Sequence, residues 1–87
     1  MYHKEKKKKQ LGMNPGTASN RLKKSILFSF AKKLGLNWCY QCGTEITNID
    51  KFTVEHKTPW LDSDNPKELF FDLENIAFSH SSCNYRA

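Results

Sequence analysis

Two short pairs of cysteine and histidine residues most constrain how this chain of 87 residues folds. The first pair is Cys39-x-x-Cys42 and the second is His80-x-x-Cys83. Zinc takes four nitrogen or sulfur ligands, and a gap of two residues lets a turn or a helix present both members of a pair. A chain this short has a marginal core and often gains stability from a bound metal. The spacing therefore predicts one structural zinc, with the second pair on a helix and with the ligands Cys39, Cys42, His80 and Cys83.

Two other assignments use the same residues. In the first, Cys39 and Cys42 form a disulfide and Cys83 is a buried thiol. The basic start of the chain lacks the apolar run of a secretory signal, so we expect a cytoplasmic, reducing setting, where paired cysteines more often bind metal. In the second, zinc binds the three cysteines and His80 binds another metal. Structural zinc sites normally have a closed fourth position, which favours His80 as a zinc ligand.

Charge divides the chain into two unlike halves. Residues 1–38 contain ten Lys or Arg and a single acid, whereas residues 39–87 contain four basic residues and eight acids. A basic half suits phosphate binding, because each neutralised phosphate releases counterions. The acidic half would repel a polyanion unless cations bind in it. The lysine run within residues 4–9 is equally consistent with a solvated tail. Candidate phosphate contacts are Lys57, Arg21, Lys23, Lys24 and Arg86.

The first half of the chain predicts one helix after a disordered arm. Residues 1–16 show no apolar periodicity, and we expect them to form a disordered basic arm. A helix is expected over residues 17–35, capped by Thr17 or Ser19 and stopped by Gly35. Its longest apolar stretch is too short to cross a bilayer, so we expect no membrane partner. Phe28 lies off the apolar stripe that helical spacing predicts for the core, which consists of Leu22, Ile26, Leu27, Phe30, Ala31 and Leu34.

The second half predicts two short strands and a helix. The segment 52–56 alternates apolar and polar residues, as a half-buried strand does. A turn of helix can begin at Asn65-Pro66, and a second strand is expected over residues 75–78. Ser79 would then cap a final helix that carries His80 and Cys83. The predicted architecture is a small α+β domain over residues 17–87, with a zinc-stapled ββα core over residues 39–87.

Three further motifs within this core carry a resemblance to a known family. They are Glu55-His56 followed by Pro59, Asn75 at the start of the second predicted strand, and Asn84 directly after Cys83. Together with the zinc pairs they resemble the HNH, or ββα-metal, nucleases over residues 39–84. Residues 12–19 are also similar to a segment of small phage-encoded HNH proteins. The resemblance implies cleavage of DNA with a divalent metal, in the host cytoplasm if the chain is phage-encoded.

The resemblance also implies a role for each of these side chains. His56 would be the general base, since histidine exchanges a proton near neutral pH. Asn75 would hold the loop or the ring of His56 in place. Glu55 and Asn84 would bind catalytic magnesium or manganese, which prefer oxygen ligands. Two departures stand out: Glu55 replaces the usual aspartate, and Asn84 takes the place of the last histidine of the family name.

Two rival interpretations share the zinc and charge features. One is a non-catalytic zinc module that only binds nucleic acid, and the other is an adaptor that binds phage packaging or assembly proteins. An exposed Phe28 and the acidic segment 62–68 would suit the adaptor. The set of Glu55, His56, Asn75 and Asn84 separates both from a nuclease, because binding alone does not require it. The sequence leaves the oligomeric state open.

Overall fold

The structure is a computed structural model that describes residues 2–86, with side chains for residues 5–84. Its helices and strands follow in the order α1 (Tyr2–Leu11), α2 (Pro15–Lys33), β1 (Phe52–His56), α3 (Pro66–Phe71), β2 (Ile76–His80) and α4 (Ser81–Arg86). The two strands form one antiparallel sheet, and α4 follows it directly. The predicted small α+β fold with a ββα core is therefore confirmed. None of the helices in the described part combines the length and the hydrophobicity that a bilayer crossing requires.

Helix α1 lies where the sequence predicted a disordered arm, and that prediction is wrong for residues 2–11. Lys, Glu, Gln and Leu all have high helix propensity. Glu5 in the first turn and Lys8 and Lys9 in the last turn also complement the helix dipole. The side chains of residues 5–11, the part of this helix whose burial is described, are all exposed and add nothing to the core. The lack of apolar periodicity does not prevent helix formation.

Helix α2 begins two residues earlier than predicted. Its cap is Asn14, rather than Thr17 or Ser19, and the Asn14 side chain accepts a hydrogen bond from the N–H of Gly16 at 2.8 Å. Pro15 fits the first helical position, where its missing N–H would be unpaired anyway. After the helix, Gly35 has a φ of 70°, a conformation that glycine adopts at little cost.

The buried face of α2 differs from the predicted stripe. Phe28 and Ala31 are its two buried residues, although Phe28 was expected to lie off the core. The Phe28 ring packs against the small sheet, 4.9 Å from the ring of Phe52 in β1. Helical periodicity indicates that a helix has an apolar face. Where two apolar faces overlap, it does not indicate which of them will be buried. Most of the predicted stripe remains exposed, namely Leu22, Ile26, Leu27, Phe30 and Leu34.

The second half of the chain agrees more closely with the sequence. β1 has the predicted bounds, and α3 begins at Pro66 as expected. β2 starts at Ile76 and continues to His80, so that Phe52 pairs with His80 and His56 pairs with Ile76. The expectation that His80 lies on the final helix is wrong, because β2 stays paired with β1 up to this residue. The final helix therefore begins at Ser81, not immediately after Ser79.

The core joins α2, the segment before β1, and β1 itself. Its buried apolar members are Phe28, Ala31, Cys39, Ile46 and Phe52. Phe52 also contacts β2, since its ring lies 5.0 Å from that of Phe78. Because Cys39 is only 2% exposed, one of the predicted zinc ligands is itself part of the hydrophobic core.

Candidate functional site

The four predicted zinc ligands converge in the structure. The ligand atoms of Cys39, Cys42, His80 and Cys83 all lie within 4.8 Å of one another. The Cys42 Sγ is 3.4 Å from the His80 Nδ1. Sulfur ligands about 2.3 Å from a tetrahedral zinc would be about 3.8 Å apart, so this cluster has the size of a zinc site. The three cysteines are free thiols rather than partners in a disulfide. The donor set of three sulfurs and one imidazole nitrogen fits zinc.

A tight turn, here called the zinc knuckle (residues 38–45), presents the first pair of ligands. A bridge between Trp38 and Glu45 closes the turn, and the Cys39 N–H donates to the Thr44 carbonyl at 2.8 Å. Gly43, with a φ of 74°, lets the chain reverse and donates its N–H to the Cys39 carbonyl. The second pair comes from elsewhere, because His80 ends β2 and Cys83 lies in the first turn of α4.

Backbone N–H groups stabilise the thiolate form of Cys39, which is the form that binds a metal cation. Burial alone would raise the pKa of the Cys39 thiol, because it disfavours the thiolate. The N–H groups of His80, at 3.3 Å, and Cys42, at 3.4 Å, point at its sulfur and outweigh the burial. Together with the N–H of Gln41 they lower the pKa of Cys39 to about 6. For Cys42, the hydroxyl of Thr44, 3.0 Å from Sγ, lowers the pKa.

The pKa values of the other two ligands, His80 and Cys83, are both raised. The side-chain hydrogen bond to Cys39 raises the pKa of His80, since a thiolate stabilises the imidazolium form. Burial and the two neighbouring cysteines raise the pKa of Cys83. These shifts favour the thiolate form of Cys39 and the protonated forms of His80 and Cys83. A metal ion that binds here competes with those protons.

A cleft of about 630 Å³ lies beside the zinc cluster. Three of the predicted catalytic residues, Glu55, His56 and Asn84, line it together with Lys57. Glu55 and His56 come from the end of β1, and Asn84 comes from α4. The remaining wall consists of Gln41 and of four less polar residues, Val54, Pro59, Trp60 and Leu61.

The ring of His56 is held by α3. Its Nε2 lies 3.0 Å from the carbonyl oxygen of Phe70. A carbonyl can only accept, so Nε2 carries the hydrogen and Nδ1 of the neutral ring is left as an acceptor. The ring also lies 5.0 Å from the Phe70 ring. The sequence did not predict this contact, because nothing in the motif indicates where α3 will pack.

Asn75 is buried behind the cleft rather than lining it, and it holds the chain that follows His56. Its Oδ1 accepts from the N–H of Thr58 at 2.8 Å, and its Nδ2 donates to the Thr58 carbonyl at 3.0 Å. The same Nδ2 donates to the carbonyl of Leu69, also at 3.0 Å. Of the two contacts that the sequence allowed for Asn75, the structure shows the loop, while the ring is bonded to Phe70 instead.

Glu55 and Asn84 have hydrogen-bond partners that the sequence analysis missed. Gln41 donates to the Glu55 Oε1 at 2.6 Å, and the Ser79 hydroxyl donates to the Oε2 at 3.1 Å. The Nδ2 of Asn84 lies 3.4 Å from the hydroxyl of Thr53. These partners are 14, 24 and 31 residues apart along the chain, so no local spacing could have indicated them.

A second depression, of about 470 Å³, adjoins the first and shares Val54 and Asn84 with it. Lys23 and Lys24 of α2 line this depression, so two predicted phosphate contacts lie near the cleft that contains Lys57. Arg21 lines a further depression beside Asp50, and this depression shares Lys24 with the second one. Arg86 belongs to α4, but its side chain lies outside the described residues.

A comparison of the sequence with protein-family models agrees with this architecture. The family model described as HNH endonuclease matches residues 39–87, which is more than half of the chain. The chain has no significant match among curated proteins or among solved structures. The matched segment contains the zinc knuckle apart from Trp38, both strands, α4 and every residue of the cleft. From this match and from the ββα core with its zinc-type cluster, the chain belongs to the HNH endonuclease family.

Proposed function

We propose that this chain is a divalent-metal-dependent endonuclease that hydrolyses phosphodiester bonds of DNA. The observation that carries the proposal is the meeting of Glu55, His56 and Asn84 on one cleft, with the His56 ring bonded to the Phe70 carbonyl. A protein that only binds nucleic acid has no need of an imidazole held with its free nitrogen as an acceptor.

His56 is the general base in this proposal. With Nε2 donating to Phe70, the unprotonated Nδ1 can take a proton from the attacking water. Asn75 acts on His56 indirectly, because its bonds to Thr58 fix the backbone two residues after His56. A positioned base of this kind typically contributes about 10²–10⁴ in rate.

Glu55 and Asn84 are the proposed ligands of the catalytic cation. Each carboxylate oxygen of Glu55 accepts one hydrogen bond, so a lone pair on each remains for a metal. Magnesium and manganese both favour such oxygen ligands. A divalent ion bound there would neutralise charge on the phosphate and assist the leaving oxygen. Neither of these two residues belongs to the zinc cluster, so the two metal sites have separate ligands.

The substrate would follow the two adjoining depressions. They meet at Asn84, with Lys57 on one side and Lys23 and Lys24 on the other. Phosphates can therefore contact lysines on both sides of the proposed metal site, which fixes the position of the strand without reading its sequence. We assign residues 17–87 as the nuclease domain and α1 as a basic extension to it. We also propose that the nuclease acts in the cytoplasm.

The adaptor interpretation loses one of its arguments, because Phe28 belongs to the core instead of being exposed. The acidic residues between 62 and 68 are exposed, as that interpretation expects. Nothing in the adaptor role explains the contacts of Asn75 or the bonded ring of His56. If phage packaging proteins bind this chain, they would therefore bind it as a nuclease and not as a non-catalytic adaptor.

One experiment tests the proposal. Zinc-loaded protein is incubated with supercoiled plasmid, with magnesium, with manganese, or with neither, and nicked and linear products are measured. We expect cleavage only with added metal, and a loss of about 10²–10⁴ in rate for His56→Ala. His3→Ala is the matched control, since His3 lies outside the segment that matches the family. A parent protein that binds the plasmid but cuts it with neither metal would instead support the binding module.

A further inference from the structure

The zinc knuckle extends a side chain into the candidate catalytic site. Gln41 lies between the zinc ligands Cys39 and Cys42, and its amide donates to the Glu55 carboxylate at 2.6 Å. We propose that Gln41 and Thr53 are positioning residues that orient Glu55 and Asn84 as the ligand pair of the catalytic cation. The zinc site would then direct the second metal site as well as stabilise the fold. This inference rests on the proposed function of the cleft.

The carboxylate of Glu55 belongs to a side chain that is only 7% exposed. A buried carboxylate is costly unless it is hydrogen-bonded, and here each oxygen has its own donor. Both donors, the amide of Gln41 and the hydroxyl of Ser79, are neutral. They fix the plane of the carboxylate without cancelling its charge. The negative charge therefore stays available for a cation at the cleft.

The hydroxyl of Thr53 determines the direction in which the Asn84 amide points. The Thr53 hydroxyl donates its hydrogen to the carbonyl of Ser79 at 2.9 Å. Its oxygen can then only accept, so the nitrogen of Asn84, 3.4 Å away, is the end that faces Thr53. This leaves the Oδ1 of Asn84 free for a cation. Without the threonine hydroxyl, the amide could turn over and present its nitrogen, which is not a ligand for magnesium or manganese.

Ser79 contacts both Glu55 and Thr53 and lies next to a zinc ligand. Its hydroxyl is fully buried, donates to Glu55, and lies 3.2 Å from the Thr53 hydroxyl. Three members of this network are next in sequence to a zinc ligand: Gln41 precedes Cys42, Ser79 precedes His80, and Asn84 follows Cys83. Zinc bound to the cluster would therefore fix the backbone at three points from which the network is built.

The Gln41 part is tested with Gln41→Met, which keeps the length of the side chain and removes the donor. Manganese affinity of the zinc-loaded protein is measured without DNA, from the electron paramagnetic resonance signal of free Mn²⁺. We expect roughly 10-fold weaker binding, since outer-shell partners typically contribute 10–100-fold to metal affinity. Zinc content should not change, and cleavage should recover partly at high manganese. Gln10→Met, which alters the other glutamine of the chain, is the control and should bind manganese like the parent.

The Thr53 part uses a matched pair. Thr53→Val replaces the hydroxyl with a methyl group of similar size and should weaken manganese binding about as much as Gln41→Met. Thr53→Ser restores the hydroxyl and should restore the affinity, which a purely steric role of Thr53 would not produce. Should Gln41→Met lose zinc, Gln41→Asn decides instead, because it keeps the amide but is one methylene too short to reach Glu55.

The outcomes separate this inference from the proposed function. If Glu55→Ala abolishes manganese binding while Gln41→Met and Thr53→Val bind it as the parent does, the positioning role is overturned and the nuclease proposal stands. If the parent binds manganese no better than Glu55→Ala does, the catalytic metal site itself is wrong, and the positioning role is overturned with it.

Discussion

Asn75 and Thr58 exchange two hydrogen bonds, one from the Thr58 N–H to the Asn75 Oδ1 at 2.8 Å and one from the Asn75 Nδ2 to the Thr58 carbonyl at 3.0 Å. The backbone carbonyl of Asn75 also accepts from the N–H of Lys57 at 2.7 Å. The chain leaving β1 is thereby tied to the start of β2 for two residues beyond the last ladder pair, His56 with Ile76. These bonds hold the backbone of the two residues that directly follow His56.

The first prediction follows from that exchange. Asn75→Ala removes the three hydrogen bonds of a buried side chain and leaves backbone groups of Thr58 and Leu69 without that partner. We expect the free energy of unfolding to fall by about 1–3 kcal/mol, because each hydrogen bond typically contributes about 0.5–1.5 kcal/mol. Denaturant titration of the zinc-loaded protein measures this. Asn65→Ala is the control, since Asn65 precedes α3 without a side-chain capping bond and its loss should change stability little. Equal stabilities of the two variants would contradict the prediction.

Zinc removal should unfold much of the chain. Structural zinc contributes on the order of 10 kcal/mol in small domains, whereas the net stability of a domain is commonly about 5–15 kcal/mol. Cys39 is in the hydrophobic core, so the loss of zinc would also leave thiolate character in an apolar setting. We expect chelation or Cys83→Ala to abolish the cooperative thermal transition seen by circular dichroism. Re-addition of zinc should restore the transition in the chelated parent but not in Cys83→Ala. A chelated parent with an unchanged melting temperature would exclude a structural role for the metal.

Zinc affinity should depend on pH in a defined direction. Because the metal-free chain is expected to unfold, the thiols of Cys39, Cys42 and Cys83 then have the ordinary pKa values of exposed cysteines, and each must lose its proton when zinc binds and the chain folds. The affinity should therefore fall as the pH falls. Below about pH 6.5 the imidazole of His80 must lose a proton as well, and the affinity should fall by about tenfold more for each pH unit. Competition with a zinc indicator on both sides of this pH measures the slope. A slope that does not steepen below it would contradict His80 as a zinc ligand.

The lysines beside the cleft should contribute to DNA binding more than others on the same helix. Lys23 and Lys24 line the depression that adjoins Asn84, whereas Lys32 and Lys33 do not. Each lost phosphate contact lowers the slope of log affinity against log salt by about 0.9. Replacing Lys23 and Lys24 with glutamine should therefore reduce the slope by roughly 1.8, as measured by fluorescence anisotropy on duplex DNA. The same change at Lys32 and Lys33 removes equal charge and should have a smaller effect. Equal losses would indicate that only the total charge of α2 matters.

The sequence by itself determined the features that depend on local spacing. The zinc ligands were predicted because each pair is separated by two residues, a distance that a single turn spans. β1 was predicted with its observed bounds because its apolar and polar residues alternate. The grouping of Glu55, His56 and Asn84 came from the resemblance to HNH nucleases, and the structure places all three on one cleft.

Tertiary structure decided what depends on how the elements meet. The core contains Phe28, which lies off the predicted apolar stripe of α2, and of that stripe only Ala31, because the helix packs against a sheet of two strands. The carbonyl of Phe70 fixed which nitrogen of His56 carries the hydrogen, and Gln41 reached Glu55 from the zinc knuckle. Spacing along a chain records which residues can share a turn or a face. It does not record which distant donor will approach which acceptor, since that is set only when the elements pack.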